Sequence, residues 1–262
     1  MFILGYASAV IMGGVLGLLG GGGSILTIPI LVYIFGITPS TATGYSLFIV
    51  GLSAAFGAVH YAKKKQIDYK VGVIFTIPAF IGVYIARSVV VPNIPPEVFT
   101  VTDFVLTKDT LILVVFATMM ILASISMIKG RKESKAISVV WDTKKIILIS
   151  VEGLAVGGLT GFVGAGGGFL IIPALVVLAG LEMKVAVGTS LVIISIKSLI
   201  GFLGDVQHNP NIDWNFLLVF CSFSIIGIFI GGYLSKHISS KKLKPIFGWF
   251  VLIMGIIVLI KR

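Results

Sequence analysis

Charged side chains are scarce in this sequence. Of its 262 residues, 11% are Asp, Glu, Lys or Arg, against about 25% in a soluble domain. So few charges cannot build a water-facing surface, so lipid must cover most of the outside. Acidic residues are scarcer still, 10 against 20 Lys and Arg, leaving a net charge of +10. That excess does not mark a nucleic-acid partner. The basic residues form short clusters between apolar runs, such as Lys63-Lys64-Lys65, Arg131-Lys132 and Lys241-Lys242. They do not alternate with aromatics on one polar stripe. Such clusters are where topology signals of membrane proteins sit. There is one cysteine, Cys221, inside an apolar run. This excludes an intrachain disulfide and any metal site built on several thiolates, and an inert buried thiol is expected. The three histidines, His60, His208 and His237, share no metal-ligand spacing. His208 and His237 lie in polar loops. No nucleophile, base and orienting group can be assembled from the remaining polar residues. Neither an enzyme nor a cofactor is expected.

Apolar residues make up 57% of the chain, and the mean hydropathy is +1.13. They fall into runs at 2–19, 24–36, 40–60, 70–91, 109–128, 145–163, 169–181, 185–204, 214–235 and 245–260. The first run lacks a preceding positive segment, so it reads as structure and not as a signal peptide. Most runs reach the ~20 residues of a membrane span. The runs at 24–36 and 169–181 do not. Each follows a glycine cluster and contains a proline, Pro29 or Pro173. They are expected to be halves of broken or re-entrant helices.

The second half of the chain repeats the first. A shift of about 144 positions lays GLLGGGGSILTIPILVYIFG, from Gly17, over GFVGAGGGFLIIPALVVLAG, from Gly161. Ala42-Thr43-Gly44-Tyr45-Ser46-Leu47 then falls on Ala186-Val187-Gly188-Thr189-Ser190-Leu191, and Ile67-Asp68-Tyr69 on Ile212-Asp213-Trp214. The shared glycines, proline and serine exclude mere common greasiness. The expected organisation is a first transmembrane repeat at 1–128, a basic cytoplasmic linker at 129–145 and a second repeat at 146–262.

Loop charges orient the halves. Segments 62–70, 129–145 and 236–244 are basic and belong in the cytoplasm. Segment 92–108 is slightly acidic and 205–213 has no Lys or Arg, so both belong outside. Equivalent loops therefore lie on opposite faces, and the repeats are inverted, the usual architecture of secondary transporters. The expected fold is an all-α polytopic membrane protein of 8–10 membrane segments, two of them short. The basic Lys261-Arg262 end falls outside, against the charge rule. A parallel repeat of four spans each is the competing arrangement, and it would put the basic 236–244 segment outside.

The strongest local feature is Gly20-Gly21-Gly22-Gly23-Ser24, with its counterpart Gly164-Ala165-Gly166-Gly167-Gly168. Irregular backbone at membrane depth persists only where protein or a watery cavity surrounds it. The helices starting near Ser24 and Phe169 would aim their positive ends at the breaks. Free N–H groups and the helix dipole then form an anion site without a charged side chain. Close helix packing by small residues is the competing explanation. A nucleotide P-loop is excluded, because no Gly-Lys-Ser/Thr follows.

Gly44-Tyr45-Ser46 and Gly188-Thr189-Ser190 place hydroxyls at the starts of two further helices. Ser46, Thr189 and Ser190 could donate to a solute oxygen or bond their own helix carbonyls. Lys197 lies in the middle of LVIISIKSLIGFLG. A charge near the bilayer centre is by default functional, and Ser53 is its uncharged counterpart. The candidate solute-binding residues are therefore Gly20, Gly22, Gly23, Ser24, Ser46, Gly164, Gly166, Gly167, Gly168, Thr189, Ser190 and Lys197. Arg87 and His60 lie near helix ends and read as interfacial, and so does Glu152. The implied partners are a small anionic solute and the bilayer. Assembly into a homo-oligomer stays open.

The paired motifs GxxGGGGSxLTIPxL and GxxGAGGGFLIIPAL, each followed by Ala-x-Gly-x-Ser-Leu, resemble the sulfite exporter TauE/SafE family of membrane permeases. The resemblance covers nearly the whole chain. It implies a multi-pass protein of the cytoplasmic membrane that moves sulfur-containing anions, such as sulfite or organosulfonates, coupled to a proton or ion gradient. Carried over by position, it points to Gly20, Gly22, Gly23, Gly164, Gly166, Gly167, Gly168, Ser46 and Ser190. Tyr45 departs from the small or hydroxyl residue usual at its place, which Thr189 keeps.

Overall fold

A computed structural model of the chain describes residues 2–101, 104–128, 143–164, 166–177, 179–208, 212–238 and 240–260. Most of the expected linker, 129–142, lies outside the described residues. Ten helices of ten or more residues are described, five on each side of it. The first five are α1 (Phe2–Leu19), α2 (Gly22–Tyr33), α3 (Pro39–Lys63), α4 (Tyr69–Ile85) and α6 (Lys108–Ile128). The second five are α7 (Thr143–Val163), α8 (Gly168–Val177), α9 (Met183–His208), α10 (Trp214–Leu234) and α11 (Ser240–Ile260). A π-helical turn, Ala86–Val90, joins α4 to a last short piece, α5 (Val91–Asn93).

Local chemistry sets these boundaries. Pro39 sits in the first turn of α3, where its missing N–H costs nothing. Asp68 and Asp213 cap α4 and α10, accepting from the N–H of Val71 at 3.0 Å and of Phe216 at 2.9 Å. Such caps contribute about 1 kcal/mol each.

The expectation of an all-α chain needs one correction. Segment 92–108 contains a β-hairpin, β1 (Glu97–Val101) paired antiparallel with β2 (Phe104–Thr107). Val98, Phe99, Val101, Phe104 and Val105 supply the β-branched and aromatic residues that favour strands. Two helix ends also differ from the apolar runs. Helix α9 continues through His208, so Asp205 is helical and not part of a loop. Helix α7 begins at Thr143, inside the expected linker.

Polarity is distributed inside out. Val73, Ile77, Ile81 and Ile85 form an exposed stripe at four-residue spacing along α4, and Ile226, Phe229, Ile230 and Tyr233 form one at the i, i+3, i+4, i+7 positions of α10. Ser24, Thr27, Thr43, Ser46, Ser53, Thr160, Ser190, Lys197, Ser198 and Ser224 are buried. A soluble protein exposing this much contiguous apolar surface would aggregate, whereas a bilayer solvates it. Among the described residues, six helices are long and apolar enough to cross a membrane: Pro39–Lys63, Tyr69–Asn93, Lys108–Ile125, Ile146–Val163, Met183–Gln207 and Trp214–Leu234.

The packing partners are regular. Helix α1 packs on α10 and α4 on α7, while α3 packs on α9 and α6 on α11. Glycines allow the close approaches. A Cβ on Gly13, Gly17, Gly227 or Gly231 would strike backbone across the α1–α10 contact, and one on Gly82, Gly153 or Gly157 across the α4–α7 contact. Helices α1 and α2 fold back on each other. Phe35 lies against Gly5 at the open end of this hairpin, and Met12 and Leu16 lie against Gly23 near its tip. Cys221 is buried in the bundle, as expected of an inert thiol.

Candidate functional site

The two glycine clusters form backbone breaks that meet inside the bundle. Gly20, Gly164, Gly166 and Gly167 all have positive φ, between 62° and 75°, a region L side chains rarely enter. Gly21 touches the Gly168 backbone directly, and a Cβ on either would land on the other. The N-terminal ends of α2 and α8 are thus in contact. No side chain caps the start of α2. Ser24 Oγ instead donates to the Gly21 carbonyl at 2.6 Å.

Several expected site residues gather here. Ser190 Oγ donates to the carbonyls of Val187 at 2.8 Å and Gly20 at 3.3 Å. Gly166 lies beside Ser24 and Val50. Lys197 is fully buried, and its Nζ donates to Thr160 Oγ1 at 2.5 Å. A Cβ on Gly167 would come within 2.7 Å of that Nζ. Ser46 is buried near the start of α3, and its Oγ has no protein partner.

Thr189 stands apart from this group. Its Oγ1 accepts from the backbone N–H of Asp68 at 2.9 Å, fastening α9 to the start of α4. Its methyl points toward Gly72.

Arg87 corrects the sequence reading most. Its place near a helix end suggested an interfacial side chain, but its side chain is 0% exposed. It sits in the π-helical turn after α4, and such turns recur at functional sites. Its Nη1 pairs with Asp205 Oδ1 at 3.2 Å. Its Nη2 lies against Gly164, so that a Cβ there would overlap it. The loop between α7 and α8 is thus flanked by two buried cations, Arg87 at Gly164 and Lys197 at Gly167. The loop between α1 and α2 has neither. Gly20 meets Val187 and Ser190, and Gly23 meets Met12 and Leu16.

Above Arg87 a pocket of about 420 Å³ opens at the end of the bundle that carries the 92–108 segment. Ser40, Thr41, Gly44 and Tyr45 of α3, Phe202 and Asp205 of α9, Ile212 and Lys108 line it with Arg87. Lys108 Nζ donates to the Val91 carbonyl at 2.6 Å. The opposite end of the bundle is basic. There Lys64 Nζ donates to the Gly232 carbonyl at 3.2 Å. Burial, then the neighbouring Lys236 and Lys184, hold its pKa below the usual lysine value.

Among the described residues no cluster of His, Cys, Asp and Glu could hold a metal ion. Helices that are apolar outside and polar inside, packed around broken segments, define a multi-pass membrane transporter. The chain belongs to the sulfite exporter TauE/SafE family, whose model matches residues 6–261. This is a family of transporters and not of enzymes. Curated relatives extend over the full length. A "Probable membrane transporter protein" of Xylella fastidiosa (strain 9a5c) is 29% identical, covering 98% of this chain and 94% of that protein. "Probable membrane transporter protein YunE" of Bacillus subtilis is 27% identical, covering 97% and 96%. A similarly named protein of Methanocaldococcus jannaschii is 28% identical, covering 99% and 97%. No solved structure matches the chain significantly.

Proposed function

We propose that this protein is a secondary transporter of a small sulfur-containing anion, such as sulfite or an organosulfonate. It works by alternating access, coupled to a proton or ion gradient, between two halves of opposite orientation. One observation carries the anion reading: the glycine break between α7 and α8 is buried between Arg87 and Lys197 and faces the N-terminal end of α2. Backbone N–H groups, two helix dipoles and two cations converge there with few carboxylates, a combination that favours negative charge. Sulfur as the element follows from the family's name alone.

The contact between the counterpart helices α3 and α9 supports the inverted halves, since Gly44 lies against Asp205, Gly51 against Leu199 and Gly188 against Tyr61, so the two run antiparallel. Exchanging each helix for its sequence counterpart turns the α1–α10 contact into the α7–α4 contact, and returns α3–α9 and α6–α11 to themselves. The units are 1–128 and 146–262, joined by a cytoplasmic linker at 129–145. In this reading Gly20, Gly22, Gly23, Ser24, Ser46, Gly164, Gly166, Gly167, Gly168 and Ser190 form the solute path, with Lys197 as its counter-charge. Thr189 serves instead to hold a helix corner.

Uptake of labelled sulfite and methanesulfonate by proteoliposomes tests the proposal. Lys197→Ala should reduce flux at least tenfold, and Gly166→Val should abolish it. Undiminished flux in Lys197→Ala would remove that residue from the mechanism. Transport of a carboxylate with no sulfur anion carried would overturn the substrate class. Single-channel currents far above carrier turnover would replace the carrier by a channel.

A further inference from the structure

The outer pocket holds a feature that the glycine breaks do not account for. A guanidinium presents two flat edges to oxygen ligands. On Arg87, Asp205 occupies only Nη1. Nε and Nη2, which together form the side-on fork, are buried with no hydrogen-bond partner in the protein. Leaving such donors unmade costs about 1–3 kcal/mol, so the protein retains an unsatisfied fork at a cost to its stability. Arg87 lines a cavity of about 420 Å³, large enough for a small oxyanion, together with a second cation, Lys108, and the hydroxyl residues Ser40 and Thr41. The fork's Nη2 also borders Gly164, the first residue of the α7–α8 break.

We infer that this pocket is an outer recruitment site for a small oxyanion with two coplanar oxygens, a sulfonate, sulfite or carboxylate group, which Arg87 binds through Nε and Nη2 beside the Asp205 carboxylate already on Nη1. The inference deepens the anion-transport reading and rests on it. Asp205 holds the guanidinium in place. An arriving anion takes the unfilled fork in bidentate geometry, the strong arrangement for Arg and an oxyanion, against the repulsion of the nearby Asp205 charge. Lys108 lines the same pocket and is partly exposed, so its charge draws anions in and its effect is screened by salt. From the fork the next polar surface is the glycine break itself. The pocket is therefore the first station on the path, and Arg87 is shared between the pocket and the break.

The test is anion binding to the purified full chain in lipid nanodiscs by calorimetry, using sulfite, methanesulfonate, acetate and chloride. The expected order places the oxyanions at least tenfold above chloride, which offers the fork one acceptor atom where an oxyanion offers two in parallel. Asp205→Asn, which removes the competing charge at constant shape, should tighten oxyanion binding at least fivefold. Arg87→Lys, which keeps charge but loses the fork, should weaken it at least tenfold. Lys108→Gln, at a partly exposed position, should weaken binding a few-fold at low salt and not at 1 M salt. Wild-type flux in proteoliposomes is measured alongside. If the wild type transports an anion while Asp205→Asn and Lys108→Gln bind it as the wild type does, the recruitment site is wrong and the transport reading stands. If the wild type neither binds nor moves any of the four, both fall.

Discussion

The phenol oxygen of Tyr45 accepts a hydrogen bond from the backbone N–H of Asp213 at 2.8 Å. The hydroxyl of Thr189 does the same for Asp68 at 2.9 Å. Tyr45 and Thr189 are counterparts in the sequence repeat, and so are Asp68 and Asp213. Each aspartate uses its side chain to cap the helix that follows, while its own N–H is held by the other half. Tyrosine in one half can do what threonine does in the other because the acceptor oxygen, not the side-chain size, is what this corner requires.

Removing each acceptor at nearly constant shape should therefore destabilise both corners, and unequally. Thr189 is buried and Asp68 half-buried, whereas Asp213 is exposed. Water can replace the lost partner only at Asp213. Thr189→Val should cost about 1–3 kcal/mol, and Tyr45→Phe no more than about 1 kcal/mol. Thermal unfolding in detergent checks the order, and a larger loss from Tyr45→Phe would contradict it.

The contact between Gly21 and Gly168 should tolerate no side chain. Gly21→Ala or Gly168→Ala places a methyl on opposing backbone, and overpacking of this kind costs about 1–3 kcal/mol. Both variants should lower the melting temperature and stop anion flux. Gly36→Ala and Gly180→Ala are the matched controls. Both positions have positive φ, but nothing lies within 4 Å of the added Cβ. They should cost only the backbone strain, about 1–2 kcal/mol, and leave flux near the wild-type rate.

The proposed orientation can be read by labelling. In a Cys221→Ser background, Glu97→Cys in the hairpin and Lys236→Cys after α10 are both at exposed positions. A membrane-impermeant maleimide should modify Glu97→Cys in intact cells, and Lys236→Cys only after permeabilisation. Labelling of both from outside would refute opposite placement of these segments.

The basic end makes stability depend on pH in a definite direction. The folded protein holds the Lys64 pKa below its unfolded value, through burial and then through Lys236 and Lys184. Between those two values the unfolded chain binds more protons, so stability rises with pH. The penalty is fully present below the folded pKa and disappears as pH passes the unfolded value. Wild-type melting temperature should rise on the approach to pH 10 at low salt. Lys64→Gln should flatten that rise, and added salt should weaken it in the wild type, because Lys64 is only partly buried and its repulsion from the neighbouring lysines is screened.

Much of the fold is legible in the sequence. The apolar run at 2–19 is helix α1, and the run at 40–60 lies inside α3. Hydrocarbon demands long runs of one composition, so the boundaries are written in hydropathy, proline and aspartate. The two short helices are legible for the same reason, since glycine is the residue that lets a helix stop at depth. Lys197 stands out as an isolated charge in the middle of a run. Arg87 does not, because it lies near the end of its run and its partner Asp205 is 118 residues away. The cue was present all the same: Arg87 falls inside the apolar run 70–91, where an ionisable residue is a site candidate by default. The π-helical turn that carries it leaves no residue-level signature. The hairpin at Glu97–Thr107 was obscured by the prolines around it.

The meeting of Gly21 with Gly168 also governs how the protein can be made. The two glycines come from opposite halves, so the first cannot find its partner until α8 has been synthesised. Until then the first hairpin waits in the membrane with the open end of α2 uncovered. Helix α2 is too short to be threaded as a span, so it must enter together with α1 as one unit. Biogenesis therefore ends with a closing step that joins early and late parts of the chain, and a truncated first half should be a substrate for quality-control proteolysis.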